Sequence, residues 1–155
     1  MARACRRTCQ WSLPVNAVNA AGTKTAMSYL CRLRLLRSYT YPDVMVIAGE
    51  PIYWENRTDT ITNPIVIIEV LSESTAGYDR EGKFQAYRTI PSFGEYVLID
   101  QTRIYIEQYS KTAKKRWSLC EYDEEDENIT LISIPFQFSL ANVYNKVKFA
   151  DTQKN

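Results

Sequence analysis

Two acidic residues interrupt otherwise apolar stretches of this chain. Asp43 lies in YPDVMVIA, residues 41–48, and Glu69 lies in IVIIEVL, residues 65–71. Read as strands, with side chains alternating between faces, Asp43 shares a face with Tyr41, Met45 and Ile47, and Glu69 with Ile65, Ile67 and Leu71. An ionised carboxylate buried without a partner is costly, so such a group neutralises, pairs or binds a cation. If the two strands form a hairpin closing around residues 50–62, Asp43 comes opposite or diagonal to Glu69. Two carboxylates sharing one spot raise each other's pKa, whereas a hard divalent cation such as Mg²⁺ is satisfied by one or two carboxylates and waters. The competing reading makes Asp43 a strand-entry residue after Pro42 and pairs Glu69 with a nearby Arg or Lys.

The remaining chemistry is narrowed by what is missing. The chain contains no histidine, which removes His-based nucleophilic and general-base mechanisms and leaves carboxylates, lysine, tyrosine or metal. Its four cysteines, Cys5, Cys9, Cys31 and Cys120, contain no CxxC pair, so they read as free thiols of a reducing compartment, and a cytoplasmic location is expected. The longest apolar run, broken by Glu69, is too short to span a bilayer. Residues 1–42 hold seven of the 19 basic residues and none of the 18 acidic ones. The rest of the chain therefore carries 12 basic against 18 acidic residues, a net charge of −6, and a basic footprint for nucleic acid exists only at the N-terminus.

The elements that position these residues follow from periodicity and breakers. Residues 1–28 show neither helical nor strand periodicity and read as an irregular basic tail, followed by one domain over 29–150 and a short tail at 151–155. Tyr29 to Leu35 alternates as a half-buried strand should. The two acid-bearing strands are apolar on both faces and read as central strands covered on both sides. Ser72, Ser74 and Thr75 offer caps for a helix from about Thr75 to Ile90, with Ala76, Phe84, Tyr87 and Ile90 as its apolar stripe. Strands are predicted at Glu95 to Asp100, Arg103 to Tyr109, Arg116 to Tyr122 and Ile129 to Ile134, with a short helix near Ser139 to Tyr144. The acidic run from Glu121 to Glu127 falls at a hairpin tip and lacks the glycine of an EF-hand loop. The fold class is α/β (α+β): a mixed central sheet with a flanking helix, followed by an antiparallel strand meander.

Taken together, YPDVMVI, PIVIIEVLSEST, YDREGKFQAYRTIPSFGEYVLID and FSLANVYNKVKF resemble the Uma-type family of putative restriction endonucleases, a branch of the PD-(D/E)XK nuclease superfamily. The likeness runs from about Tyr39 to Phe149 and leaves the N-terminus divergent or truncated. It implies a restriction-endonuclease-like core and Mg²⁺-assisted hydrolysis of phosphodiester bonds in DNA, with Mn²⁺ as a substitute and a homodimer as the working form. By the same likeness Pro42-Asp43 is the PD element, Glu69 the second metal-binding acid and the Val70 carbonyl a further ligand. The lysine of the motif would stand at position 71, where this chain has Leu71. Lys83, one helical turn beyond Asp79, is the lysine expected to act instead, against the alternative of a surface lysine paired with Asp79. Two other functions remain open: a catalytically degenerate nuclease fold serving as a binding or assembly module, and a structural dimer.

Overall fold

The computed structural model describes residues 39–149 and the backbone of residues 32–34. Five strands form the main sheet in the order β3-β5-β6-β7-β8: β3 (Val44–Val46), β5 (Val66–Leu71), β6 (Glu95–Asp100), β7 (Ile106–Ala113) and β8 (Arg116–Tyr122). Within this sheet only β5 and β6 run parallel, and a parallel pair needs a crossover. That crossover is the helical segment 76–87, which comprises α1 (Ala76–Tyr78), a π-helical stretch (Asp79–Lys83) and α2 (Phe84–Tyr87). Three short strands, β1 (Arg32–Arg34), β2 (Tyr39–Thr40) and β4 (Thr60–Ile61), form a second sheet in the order β2-β1-β4. A hairpin of β9 (Asn128–Leu131) and β10 (Phe136–Ser139) leads into α3 (Leu140–Val143).

The β-branched runs that carry the two acids are buried on both faces. One face places Met45, Ile47, Ile67, Leu71, Tyr96 and Leu98 against Tyr87, Ile90 and Phe93. The other places Val46, Val66, Ile68, Val97, Ile99 and Ile106 against Ile129, Leu131, Leu140 and Val143. The hairpin and α3 are anchored through a fully buried acid. Glu95 accepts the main-chain N–H groups of Ile132 at 3.0 Å and Ser133 at 2.9 Å, as well as the Gln108 amide.

Several elements are shorter than or displaced from the expectation. The first acid-bearing strand is paired only over Val44–Val46, because the chain then turns through Gly49, with φ +82°, into the segment that supplies β4. The connection to β5 is therefore not a simple hairpin, although the two strands are antiparallel as expected. The expected strand at Arg103 to Tyr109 begins at Ile106, since Asp100 accepts from the Thr102 N–H and hydroxyl and closes a turn there. The helix stops at Tyr87 rather than Ile90, and Thr75, at its N-cap, makes no side-chain cap bond; its hydroxyl bonds Ser72 instead. At α3, Ser139 does cap, its Oγ accepting from Asn142 N–H at 3.2 Å. Of the strand expected over residues 29–35, only positions 32–34 lie within the described residues, and they form β1. The tails at 1–28 and 151–155 lie outside the described residues, as do Cys5, Cys9 and Cys31; Cys120 is a free, exposed thiol.

Candidate metal centre and nuclease site

The β3–β5 register pairs Val44 with Ile68 and Met45 with Ile67. Carried one residue further, it sets Asp43 beside Glu69 on the face that the helix covers. Asp43 is exposed at the strand mouth, and its Oδ2 accepts the Val70 N–H at 2.8 Å. Glu69 is 2% exposed. Its Oε1 accepts the Tyr87 hydroxyl at 2.7 Å and lies 3.0 Å from Lys83 Nζ, while its Oε2 meets the Asp43 N–H only at 3.4 Å.

Lys83 sits between two acids. Its ammonium is 3.0 Å from Glu69 Oε1 and 2.8 Å from Asp79 Oδ1, so the partnership with Asp79 and the reach to Glu69 occur together. Asp79 is 2% exposed and its Oδ1 has no aligned hydrogen bond; the Lys83 charge is its compensation. Asp79, Lys83 and Tyr87 follow one another at intervals of four along the helical segment and all serve the Glu69 face. The Tyr96 hydroxyl donates to the Asp79 carbonyl at 3.0 Å and ties the π-helical stretch to β6. Leu71, where the motif lysine was expected, is buried in the helix-side core and offers no functional group.

Burial pushes the Glu69 carboxyl up to about 7, against the opposing pull of Lys83 and the Tyr87 hydrogen bond. Asp43 adds to this only a minor upward push, so the repulsion expected of two neighbouring acids is present but burial is the larger cause. For Lys83, burial works to lower the pKa, yet Glu69 and Asp79 together hold it above its ordinary value. Burial raises the Tyr87 phenol as well, so it stays a donor.

The oxygens left over suit a hard cation. Among the described residues Glu69 Oε2 and Asp43 Oδ1 face no strong donor, and two carboxylates completed by waters match what Mg²⁺ takes. Among the described residues no cluster of three or more His, Cys, Asp or Glu forms an all-protein cage. Sequence reasoning placed Asp43, Glu69 and Lys83 at one locus, and the structure brings the three together there. Asp79 was expected only as a surface partner of Lys83, and Tyr87 as a core ring and a weaker site candidate; the structure adds both to that locus, in keeping with their four-residue spacing from Lys83.

The model of the Uma2 family, described as putative restriction endonuclease, matches residues 3–143. This chain belongs to the Uma2 family. The match takes in the stretch before Tyr39, where the sequence reading found no likeness. Uncharacterized protein sll1609 of Synechocystis sp. is 50% identical over 92 residues, which cover 59% of this chain and 52% of that protein. Uncharacterized protein slr1290 of the same organism is 34% identical over 113 residues, covering 73% of this chain and 58% of that protein. The chain thus spans little more than half the length of these curated relatives. A crystal structure of a putative nuclease belonging to DUF820 from Anabaena variabilis superposes with a TM-score of 0.61 at 16% identity, covering 79% of this chain and 68% of that one. At that identity the likeness is one of fold, and the fold is the nuclease-like mixed sheet expected for the Uma2 family.

Proposed function

We propose that this Uma2 chain is a metal-dependent DNA endonuclease in which Asp43 and Glu69 hold Mg²⁺, or Mn²⁺ in its place, and Lys83 assists the hydrolysis of a phosphodiester bond. The observation that carries the reading is the single locus of Asp43, Glu69 and Lys83, with Lys83 Nζ 3.0 Å from a carboxylate that would otherwise be buried without a counter-charge. A divalent cation bound there supplies Lewis-acid polarisation of the phosphate and lowers the pKa of the attacking water. Asp43, at the exposed mouth, meets the nucleic acid first, while Glu69 is fixed from behind by Tyr87 and Lys83. Lys83 brings a positive charge to where negative charge accumulates on the phosphate in the transition state. In an antiparallel pair the N–H and C=O of one residue face the same neighbour, so the Val70 carbonyl lies on the Asp43 side and is proposed as a further oxygen ligand.

Two observations favour a second reading. Leu71 stands in place of the motif lysine, and residues 43–155 carry net charge −6, whereas a DNA cleft normally presents Lys and Arg to phosphates. A degenerate nuclease fold acting as a binding or assembly module fits these facts. Calorimetric titration of metal-stripped protein with Mn²⁺, run beside plasmid nicking with Mg²⁺ and Mn²⁺, separates the two. Binding with metal-dependent nicking supports the endonuclease, and a folded protein that neither binds metal nor nicks DNA supports the module.

A further inference from the structure

The two oxygens of Glu69 are not equivalent. Oε1 takes the Tyr87 hydroxyl at 2.7 Å and the Lys83 ammonium at 3.0 Å. Oε2 is left with the Asp43 N–H at 3.4 Å, a separation at which little hydrogen bonding remains. Tyr87 has little freedom to release its hold. Its ring is fully buried, edge-on to Phe93 at 5.7 Å and to Tyr96 at 5.5 Å, and its hydroxyl is 3.5 Å from Thr40 Oγ1.

We infer that Tyr87 determines which cation the site accepts, by holding Glu69 Oε1 so that the carboxylate offers a cation one oxygen rather than two. The inference rests on Asp43 and Glu69 being the ligands. Ca²⁺ takes six to eight oxygens in flexible geometry and readily accepts a bidentate carboxylate, whereas Mg²⁺ demands compact octahedral geometry and keeps several waters. A carboxylate restricted to Oε2 withholds the bidentate mode and favours the smaller ion. Tyr87 does not touch the cation; it is a positioning residue, acting through Glu69. Lys83 holds the same oxygen and supports the same restriction, but it also changes the charge of the site, which Tyr87 does not.

The test is calorimetric titration of the full metal-stripped chain with Mg²⁺ and, separately, with Ca²⁺, for wild type, Tyr87→Phe and Lys83→Met. Tyr87→Phe keeps the ring and removes the donor. It is expected to weaken Mg²⁺ about tenfold, the lower end of what loss of a ligand-orienting hydrogen bond costs, and to leave Ca²⁺ affinity unchanged or raised. Urea midpoints establish that each variant is folded. Lys83→Met alters the attraction for both divalent ions alike, so its Mg²⁺ to Ca²⁺ ratio reads only the freed oxygen, and it decides the matter should Tyr87→Phe fail to fold. A wild-type ratio retained in the folded variants overturns the inference and leaves the Asp43–Glu69 site standing. Wild-type protein that binds neither ion overturns the ligand assignment itself, and this inference with it.

Discussion

Glu69 has exchanged water for a lysine and a tyrosine, and the exchange is incomplete, because its carboxyl sits near 7 instead of the ordinary 4.5. An acid with a raised folded-state pKa binds more protons folded than unfolded between those two values, so in EDTA its contribution to stability falls as pH rises from about 4.5 to about 7 and is flat above. A shift of this size corresponds to about 3 kcal/mol at ~1.4 kcal/mol per unit. Urea unfolding across that range should show the slope in wild type and its loss in Glu69→Gln; parallel curves for the two proteins would refute it. At pH 7.5 in EDTA the Gln variant should be the more stable of the two. For Lys83, plasmid cleavage by a folded Lys83→Ala variant should fall by about 10² or more, the scale of losing a transition-state charge contact. An unchanged rate would return Lys83 to the role of a partner for Asp79.

The helical crossover has two tasks, to link the parallel strands β5 and β6 and to aim Asp79, Lys83 and Tyr87 at the sheet. It performs them with weak local signals: Gly77 and Gly82 lower its helix propensity, and Thr75 contributes no cap bond. Its middle is π-helical, a geometry that often accompanies functional sites. What holds it is tertiary packing, with Phe84 against Trp117, Tyr109 and Tyr96, and Tyr87 against Phe93. Gly77 is exposed, and a Cβ there would meet nothing within 4 Å. Gly77→Ala should therefore stabilise the protein by about 0.5 kcal/mol, the lower end of the gain from alanine over glycine in a helix. Thermal or urea unfolding checks the sign, and a destabilised variant would mean the first turn needs glycine for another reason.

Across the whole molecule, the two faces of one sheet are used differently. The helix face carries the acid locus; the opposite face is closed by the β9–β10 hairpin and α3, held through Glu95. Glu95→Ala would take the shared acceptor from the part-buried main-chain N–H groups of Ile132 and Ser133 and from the amide of buried Gln108, and a donor left unsatisfied away from water costs ~1–3 kcal/mol. A loss of about 3 kcal/mol is expected in urea unfolding. Mg²⁺ affinity in conditions where the variant remains folded should be unmoved, because Glu95 and Glu69 serve opposite faces; a parallel loss of metal binding would show that the faces are coupled. Among the described residues no helix is long and apolar enough to cross a membrane.

The sequence by itself determined the parts of this protein that depend on neighbours along the chain. The apolar runs around Asp43 and Glu69 announced central strands, and the strand-like runs at residues 95–100 and 116–122 marked β6 and β8 to the residue. An acid in each of two apolar strands was enough to nominate Asp43 and Glu69, because an uncompensated buried carboxylate always requires a partner. Only the tertiary structure decided what that partner is. That Lys83 reaches Glu69 as well as Asp79, and that Tyr87 is a hydrogen-bond donor as well as a core ring, depends on how the crossover helix is rotated over the sheet. That rotation is set by long-range aromatic packing against β6, β7 and β8; the four-residue spacing of Asp79, Lys83 and Tyr87 puts them on one face but does not fix where that face points. For the same reason the dominant cause of the raised Glu69 pKa was burial under that helix, a property of the assembled layers rather than of two acids in sequence.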